Sequence, residues 1–506
     1  MKSYGIDFGT TNTRVAYFDG EEVRVLPFQD EKGDIIYHIP SIAGYKNGEA
    51  RAFGYEALSR NDLNICKSIK WLLDKDDPVD IGEFILEPTQ IAFDFFVFLK
   101  ETIEKLGFPE EYLSNTSLTI PVNFTYNARE RLIYAIKKAG IDIQHVFHEP
   151  IAALYCDSRS RQMPGTSAVF DWGGGTLDIA VVRLNESWAQ TLAFDGLKVG
   201  GDDFDRLIIE KALADFALKY PELPVTSQQI LTARGTELKL IAEKAKKSLS
   251  ASKEENITRA NLFASCTLDF PLKREDFEAW TESYINQAVA CLEGVIYNAG
   301  ITSPVLTHLL VSGGTCHIPA IQTKIKQKFG VSRIVSALHA PGKGEAERDI
   351  ANATAMGAAL LCAFGGQPVF TRDIGIRMAD STSEEDLFYP VYRAGEVIKY
   401  DKPRKESFFI TDPGMGVARL LICDRLGSNL RQRGGSLKRI ITIPVDKNER
   451  HLEVIFSINR GLVLNIEASG RIARCSDKEG SCKITDLAVG FKIPPYELKE
   501  GIKYAV

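Results

Sequence analysis

The sequence predicts an α/β unit of two related lobes followed by an antiparallel β-sandwich, and three observations carry that expectation. Tyr4-Gly5-Ile6-Asp7-Phe8-Gly9-Thr10-Thr11-Asn12-Thr13-Arg14-Val15 reads as strand, Gly/Thr turn, strand, and Ser167 to Val182 repeats the plan around Asp171-Trp172-Gly173-Gly174-Gly175-Thr176-Leu177-Asp178. Two copies of one unusual hairpin imply duplicated architecture rather than a solenoid array. Strands and helices then alternate to about residue 366, the pattern of an α/β domain. Beyond Gly365-Gly366 the period changes from helical to two. Leu452, Val454, Phe456 and Ile458 alternate with mostly polar neighbours, and Leu462, Leu464, Ile466 and Ala468 do so again after the turn Asn459-Arg460-Gly461.

In order along the chain, residues 89–106 carry a helical pattern stopped by Gly107, and Ala128 to Ala139 another stopped by Gly140, the residue that suits a left-handed C-cap. Glu210–Leu218, Gln228–Ser250 and Arg274–Ala299 read as further helices. Short strands at Ala418–Cys423 and Leu437–Val445 join the Leu452–Ala468 hairpin in an antiparallel sandwich. The expected division is residues 1–366, with one lobe of about 1–163 and 345–366 and the other of about 164–344. A linker at 367–374, the β domain at 375–472 and a short extension without helices at 473–506 complete it.

Composition narrows the class. The 506 residues are 44% hydrophobic and 25% charged, a folded rather than disordered profile. A formal net charge of −6 gives no general attraction to nucleic acid or to an anionic membrane surface. No apolar run approaches the ~18 residues of a membrane-spanning helix, and Asp7 interrupts any signal-peptide core. Nine scattered cysteines without a C-x-x-C pair read as reduced thiols of a cytoplasmic protein.

The paired turns carry the chemistry. Glycine and threonine between strands let backbone N–H groups converge on an anion, and an adjacent aspartate suits a hydrated Mg²⁺ riding on phosphates. One such turn is usually just a turn; two matched copies, each with its aspartate, point to a phosphate site. The pattern G-x-x-x-x-G-K-[ST] is absent, which excludes a P-loop.

These hairpins resemble those of the superfamily of actin, sugar kinases and 70-kDa heat-shock proteins. Further segments, in order, are similar to the 70-kDa heat-shock family: Thr119-Ile120-Pro121-Val122-Asn123-Phe124, Arg129, His148-Glu149-Pro150-Ile151-Ala152-Ala153, Gly200-Gly201-Asp202-Asp203-Phe204-Asp205, Glu243 to Ser250, and Gly313-Gly314-Thr315-Cys316-His317. The resemblance implies an actin-like ATPase domain that binds ATP and ADP with Mg²⁺. It implies that Asp7 and Asp171 hold the metal through water, and that Lys70, Glu149 and Thr176 serve catalysis with them. Gly9, Thr10, Thr11, Asn12, Gly173, Gly174, Gly175 and Asp178 would surround the phosphates. Gly200, Gly201, Glu243, Lys246, Lys247, Ser250, Gly313, Gly314 and His317 would contact the nucleoside side.

By the same resemblance the β domain binds unfolded peptide or one dedicated client, with a co-chaperone and a nucleotide-exchange factor as further partners. Several positions depart from the family pattern. His317 stands where an arginine usually stacks on adenine, Ala351 replaces an aspartate, and Gln144-His145 replace a basic pair used with J-domain co-chaperones. The linker Gln367 to Asp373 lacks the usual leucines, the pocket loops around residues 385–430 have no clear match, and the helical lid has no counterpart. Pro121 and Arg129 fall where the family has its interdomain relay. The resulting expectation is an ATP-dependent chaperone-like protein without a lid. The alternatives are a nucleotide-sensing scaffold for one partner and, less compatible with the β domain, a small-molecule kinase.

Overall fold

A computed structural model describes residues 1–506 apart from 31, 61, 76, 83, 123, 157–164, 185–187, 331–333, 337–351, 379–386, 401, 426–435, 469–473, 476–477, 480–481, 486, 488, 493–502 and 505–506. Asn123, Ala351 and, of the loop positions expected to shape a peptide pocket, 385–386, 401 and 426–430 lie outside the described residues.

Two seven-stranded sheets form from the two hairpins. In the first, Ile143–His148, Thr116–Ile120 and Ser3–Phe8 run parallel, then Asn12–Phe18 and Glu22–Val25 continue antiparallel. The second repeats that order: Ile334–Ser336, Leu306–Ser312 and Gly165–Trp172 parallel, then Leu177–Leu184 and Trp188–Leu197 antiparallel. The duplication read from two short turns therefore extends to five strands of each sheet. Lys503–Tyr504 adds a further parallel strand to the first sheet, beside Glu22 and Val23.

Helices Glu149–Cys156 and Ala353–Ala363 cross between the sheets in direct backbone contact. A Cβ on Gly357 would lie 1.8 Å from the Ala152 carbonyl oxygen, and one on Gly5 would lie 2.2 Å from that of Ala355. Elsewhere the helices follow the sequence signals closely. Pro88–Lys105 ends before Gly107 and Tyr126–Lys138 before Gly140, both glycines at positive φ. Helix Tyr126–Lys138 opens with the Thr125 hydroxyl accepting from Ala128 N. No helix among the described residues is long and apolar enough to cross a membrane.

The C-terminal part forms two antiparallel sheets, one built on Asp373–Met378, Leu387–Tyr392, Val417–Arg425 and Ser436–Pro444, the other on Arg404–Phe409, His451–Ile458, Leu464–Ala468 and Cys482–Ile484. Their alternating apolar side chains meet in one core, which is continuous with Phe147, Ile151 and Leu361 of the preceding domain. The turn at 459–461 seats these sheets on helix Tyr126–Lys138. Arg129 Nη1 donates to the Gly461 carbonyl at 3.1 Å, Asn459 Nδ2 to Glu130 at 3.1 Å, and Arg460 pairs with Asp142 at 3.0 Å.

Two stretches, one in the expected linker and one in the expected extension, pair with each other and with the second sheet. Gln367–Phe370 is a strand, not an open connection, and Val489–Lys492 is a strand placed between it and Trp188–Leu197 of the second sheet. Their pairing partners lie over a hundred residues away in sequence, so local pattern does not reveal them.

Candidate functional site

The two hairpin turns face each other. A Cβ on Gly174 would come 2.4 Å from Thr11 Oγ1, and one on Gly175 would come 3.2 Å from Thr10 Cγ2. Only turns without side chains at those positions close on one another in this way. The Thr11 hydroxyl is buried between them with no hydrogen-bond partner. Gly9 N–H and Gly173 N–H close their own turns, onto the carbonyls of Asn12 and Thr176.

Four acidic groups and one lysine converge beneath the turns. Lys70, 5% exposed, donates to Glu149 Oε1 at 2.7 Å. It sits on the short helix Ile69–Leu72, which follows Ser68 in the left-handed region at φ 56°. A serine held there costs conformational energy, a feature common where backbone aims a functional side chain. Asp7 accepts from the Thr119 hydroxyl at 3.1 Å, and Asp178 accepts from that of Thr176 at 2.7 Å. Thr176 is thus engaged by Asp178. Asp171 lies beside Gly313, where an added Cβ would approach Asp171 Oδ1 at 2.6 Å.

Burial dominates the electrostatics. It holds the Glu149 carboxyl above its usual range; the Lys70 ammonium opposes this, while the Asp7 and Asp178 charges reinforce it. Asp171 is pushed up to about 6 by burial and then by Asp178 and Asp7, against a Ser312 hydrogen bond and the Arg14 charge. Asp178 is raised by burial. Mutually repelling carboxylates below glycine turns suit a cation and an anionic ligand together. Among the described residues no three metal-ligating side chains form a direct cage, and the donors present fit an ion held through its water shell.

Asp171 supplies a pH prediction. Its folded-state proton affinity exceeds that of the unfolded chain, so its contribution to stability is complete below about pH 4 and is lost as pH rises through about 6. Asp171→Asn is expected to stabilise the ligand-free protein at pH 8 by roughly 1–3 kcal/mol, with a smaller gain at pH 5. Urea unfolding at both values checks this; equal gains would contradict it.

On the nucleoside side the expected residues divide. Gly200 and Gly201 open helix Gly201–Lys219, with Gly201 N–H donating to the Gly173 carbonyl at 3.1 Å, so this turn is fixed to the turn at 173–176. Lys246 is engaged by Asp205 at 2.8 Å and by the Gly201 carbonyl at 2.8 Å, bracing helix Ser227–Ser248 against that turn. Glu243 pairs with the exposed Lys247 at 2.7 Å. Ser250 follows the helix end. Gly313 has φ 88° and starts the turn Gly314–His317, where His317 is exposed and the Thr315 hydroxyl donates to the Gly173 carbonyl.

Several residues near the site had no sequence signal. Arg14 Nε donates to Asn352 Oδ1 at 3.1 Å and its charge reaches Asp171. Lys198 places its ammonium 5.1 Å from the Trp71 ring, across from the Lys70 helix. Lys67 lies among Lys239, Asp202 and Glu243, its proton affinity lowered first by burial. Each contact joins segments distant in sequence.

Residues 73–376, more than half of the chain, match the model of the family described as Hsp70 protein.

Proposed function

The chain belongs to the Hsp70 family, and we propose on that basis that it is an ATPase whose nucleotide cycle acts on the C-terminal sheets. The observation that carries this reading is the buried Lys70–Glu149 pair beneath two opposed glycine–threonine turns. Lys70 lies just outside the matched residues, so its role rests on this geometry.

The turns would bind the phosphates through backbone N–H groups and the free Thr11 hydroxyl. Asp7 and Asp171 would hold the water shell of Mg²⁺, which when bound supplies charge neutralisation on the phosphates. Lys70 places a fixed cation beside the transferred group, and Glu149 orients water and takes its proton as the new P–O bond forms and the bond to ADP breaks. Gly201, Gly314, His317 and the 243–250 helix end would border ribose and adenine.

For the C-terminal sheets we propose binding of extended apolar peptide. Tyr389, Phe409, Met415 and Ile440 support this, being large apolar side chains left exposed there. A co-chaperone and an exchange factor are proposed by the same family logic. A second reading, a nucleotide-sensing scaffold for a dedicated partner, is favoured by the seating of the sheets on Arg129, Glu130 and Asp142.

Single-turnover hydrolysis of ATP with and without an unfolded apolar peptide tests both. Hydrolysis accelerated severalfold by peptide is expected. Hydrolysis indifferent to peptide would transfer the reading to the scaffold, and no hydrolysis would remove the ATPase.

A further inference from the structure

Strand Val489–Lys492 is enclosed by pairing partners on both edges. Ala189 and Gln190 pair with Phe491 and Gly490 on one side, and Pro368 and Val369 pair with the same two residues on the other. A Cβ on Gly490 would come 2.7 Å from the Ala189 carbonyl oxygen and 2.7 Å from Thr371 Cγ2. The strand is therefore hemmed in by the second sheet and by the segment entering the C-terminal sheets.

Phe491 is fully buried. Its ring lies 5.1 Å from that of Phe147 and 5.5 Å, edge-on, from that of His148. His148 is the residue directly before Glu149, and burial pushes its imidazole down to about 3, so the ring is neutral. Its Nδ1 is buried without a hydrogen-bond partner, which leaves packing, not a bond at that atom, to fix the ring. The backbone leading into the Lys70-bound carboxylate thus rests on a side chain from near the far end of the sequence.

We infer that Phe491, on strand Val489–Lys492, is a positioning residue for Glu149. Thr485, shortly before the strand, accepts from Arg129 at 3.4 Å, and Cys482–Ile484 belongs to the second of those sheets. Strand, sheets and Arg129 are therefore held in one packed arrangement. The inference deepens the ATPase reading and rests on it for its rate measurement only.

Phe491→Ala and Phe491→Leu in the full chain provide the test. With Phe491→Ala, single-turnover hydrolysis is expected to fall about tenfold, as a small misplacement of a catalytic group does, while the nucleotide dissociation constant changes by no more than about twofold. Phe491→Leu, which refills most of the volume, should recover at least half of the rate. Amide exchange of the nucleotide-free protein should quicken at both Phe147–Glu149 and Gln367–Phe370 in the alanine variant. Parallel loss of binding and hydrolysis with no recovery in Phe491→Leu would mark a merely structural role and overturn the inference, as would unchanged hydrolysis. If the unaltered chain hydrolyses nothing, the ATPase reading fails by itself. Exchange then decides, and unaltered exchange at Phe147–Glu149 would overturn the positioning role.

Discussion

Lys70→Ala is expected to reduce single-turnover ATP hydrolysis by about 10²–10³-fold, the usual consequence of removing one preorganised charge from a transition-state site. The loss should leave nucleotide bound, because the turns at 9–12 and 173–176 do not depend on that side chain. Two effects combine. The substitution deletes a nearly inaccessible cation, and it also leaves Glu149 without the one neighbour that favours its ionised form. Burial, Asp7 and Asp178 all act in the opposite direction. Without Lys70, Glu149 would be held still further above its usual range and be a poorer acceptor of the proton from water. Glu149→Gln should consequently cost a similar factor, and the double variant should be little worse than either single one, since groups acting as a unit are not additive. A Lys70→Ala protein that kept more than a tenth of the rate, or a double variant showing the product of both losses, would contradict the pairing as the source of catalysis.

How much of this was legible in the sequence depends on the range of the interaction concerned. The hairpins at Asp7 and Asp171 were readable because an apolar strand, a glycine–threonine turn and a second strand are all local. Helix ends were readable at Gly107 and Gly140, where φ of 78° and 85° is the conformation that glycine takes most easily. The segment at 367–370 was not, because its strand character comes from pairing with 489–492. Period-two alternation shows that a strand has one buried face and says nothing of its neighbour. Lys246 posed the same difficulty within the site. Glu, Lys and Ser at helical spacing mark a face, and the Asp205 carboxylate that engages Lys246 lies on a different helix. Arg14, Lys67 and Lys198 were silent for that reason, each meeting a partner distant in sequence.

The crossing of helices 149–156 and 353–363 is the place where a single methyl group should do most damage. At Gly357 an added Cβ would meet the Ala152 carbonyl oxygen at 1.8 Å and its carbon at 2.6 Å. Backbone cannot rotate away as a side chain can, so one helix must move by more than an ångström. The 353–363 helix is confined on its other side as well, since Gly5 lies against Ala355 and Ala359 and the Ser3 hydroxyl donates to the Ala359 carbonyl at 2.7 Å. The displacement therefore falls on helix 149–156, which begins with Glu149 itself. Gly357→Ala is expected to destabilise the protein by about 3 kcal/mol or more, and the fraction that remains folded should hydrolyse ATP more slowly with Glu149 out of place. Gly294→Ala is the control, being the same chemical change on the exposed face of helix Arg274–Asn298 with nothing within 4 Å of the new atom. It should stabilise by about 0.5–1 kcal/mol, as alanine does in an open helix position. Urea midpoints moving in opposite directions for the two variants would place the constraint in the helix crossing. A Gly357→Ala protein as stable as the parent would mean that the crossing has room, and that the sheets are not held at the close approach seen here.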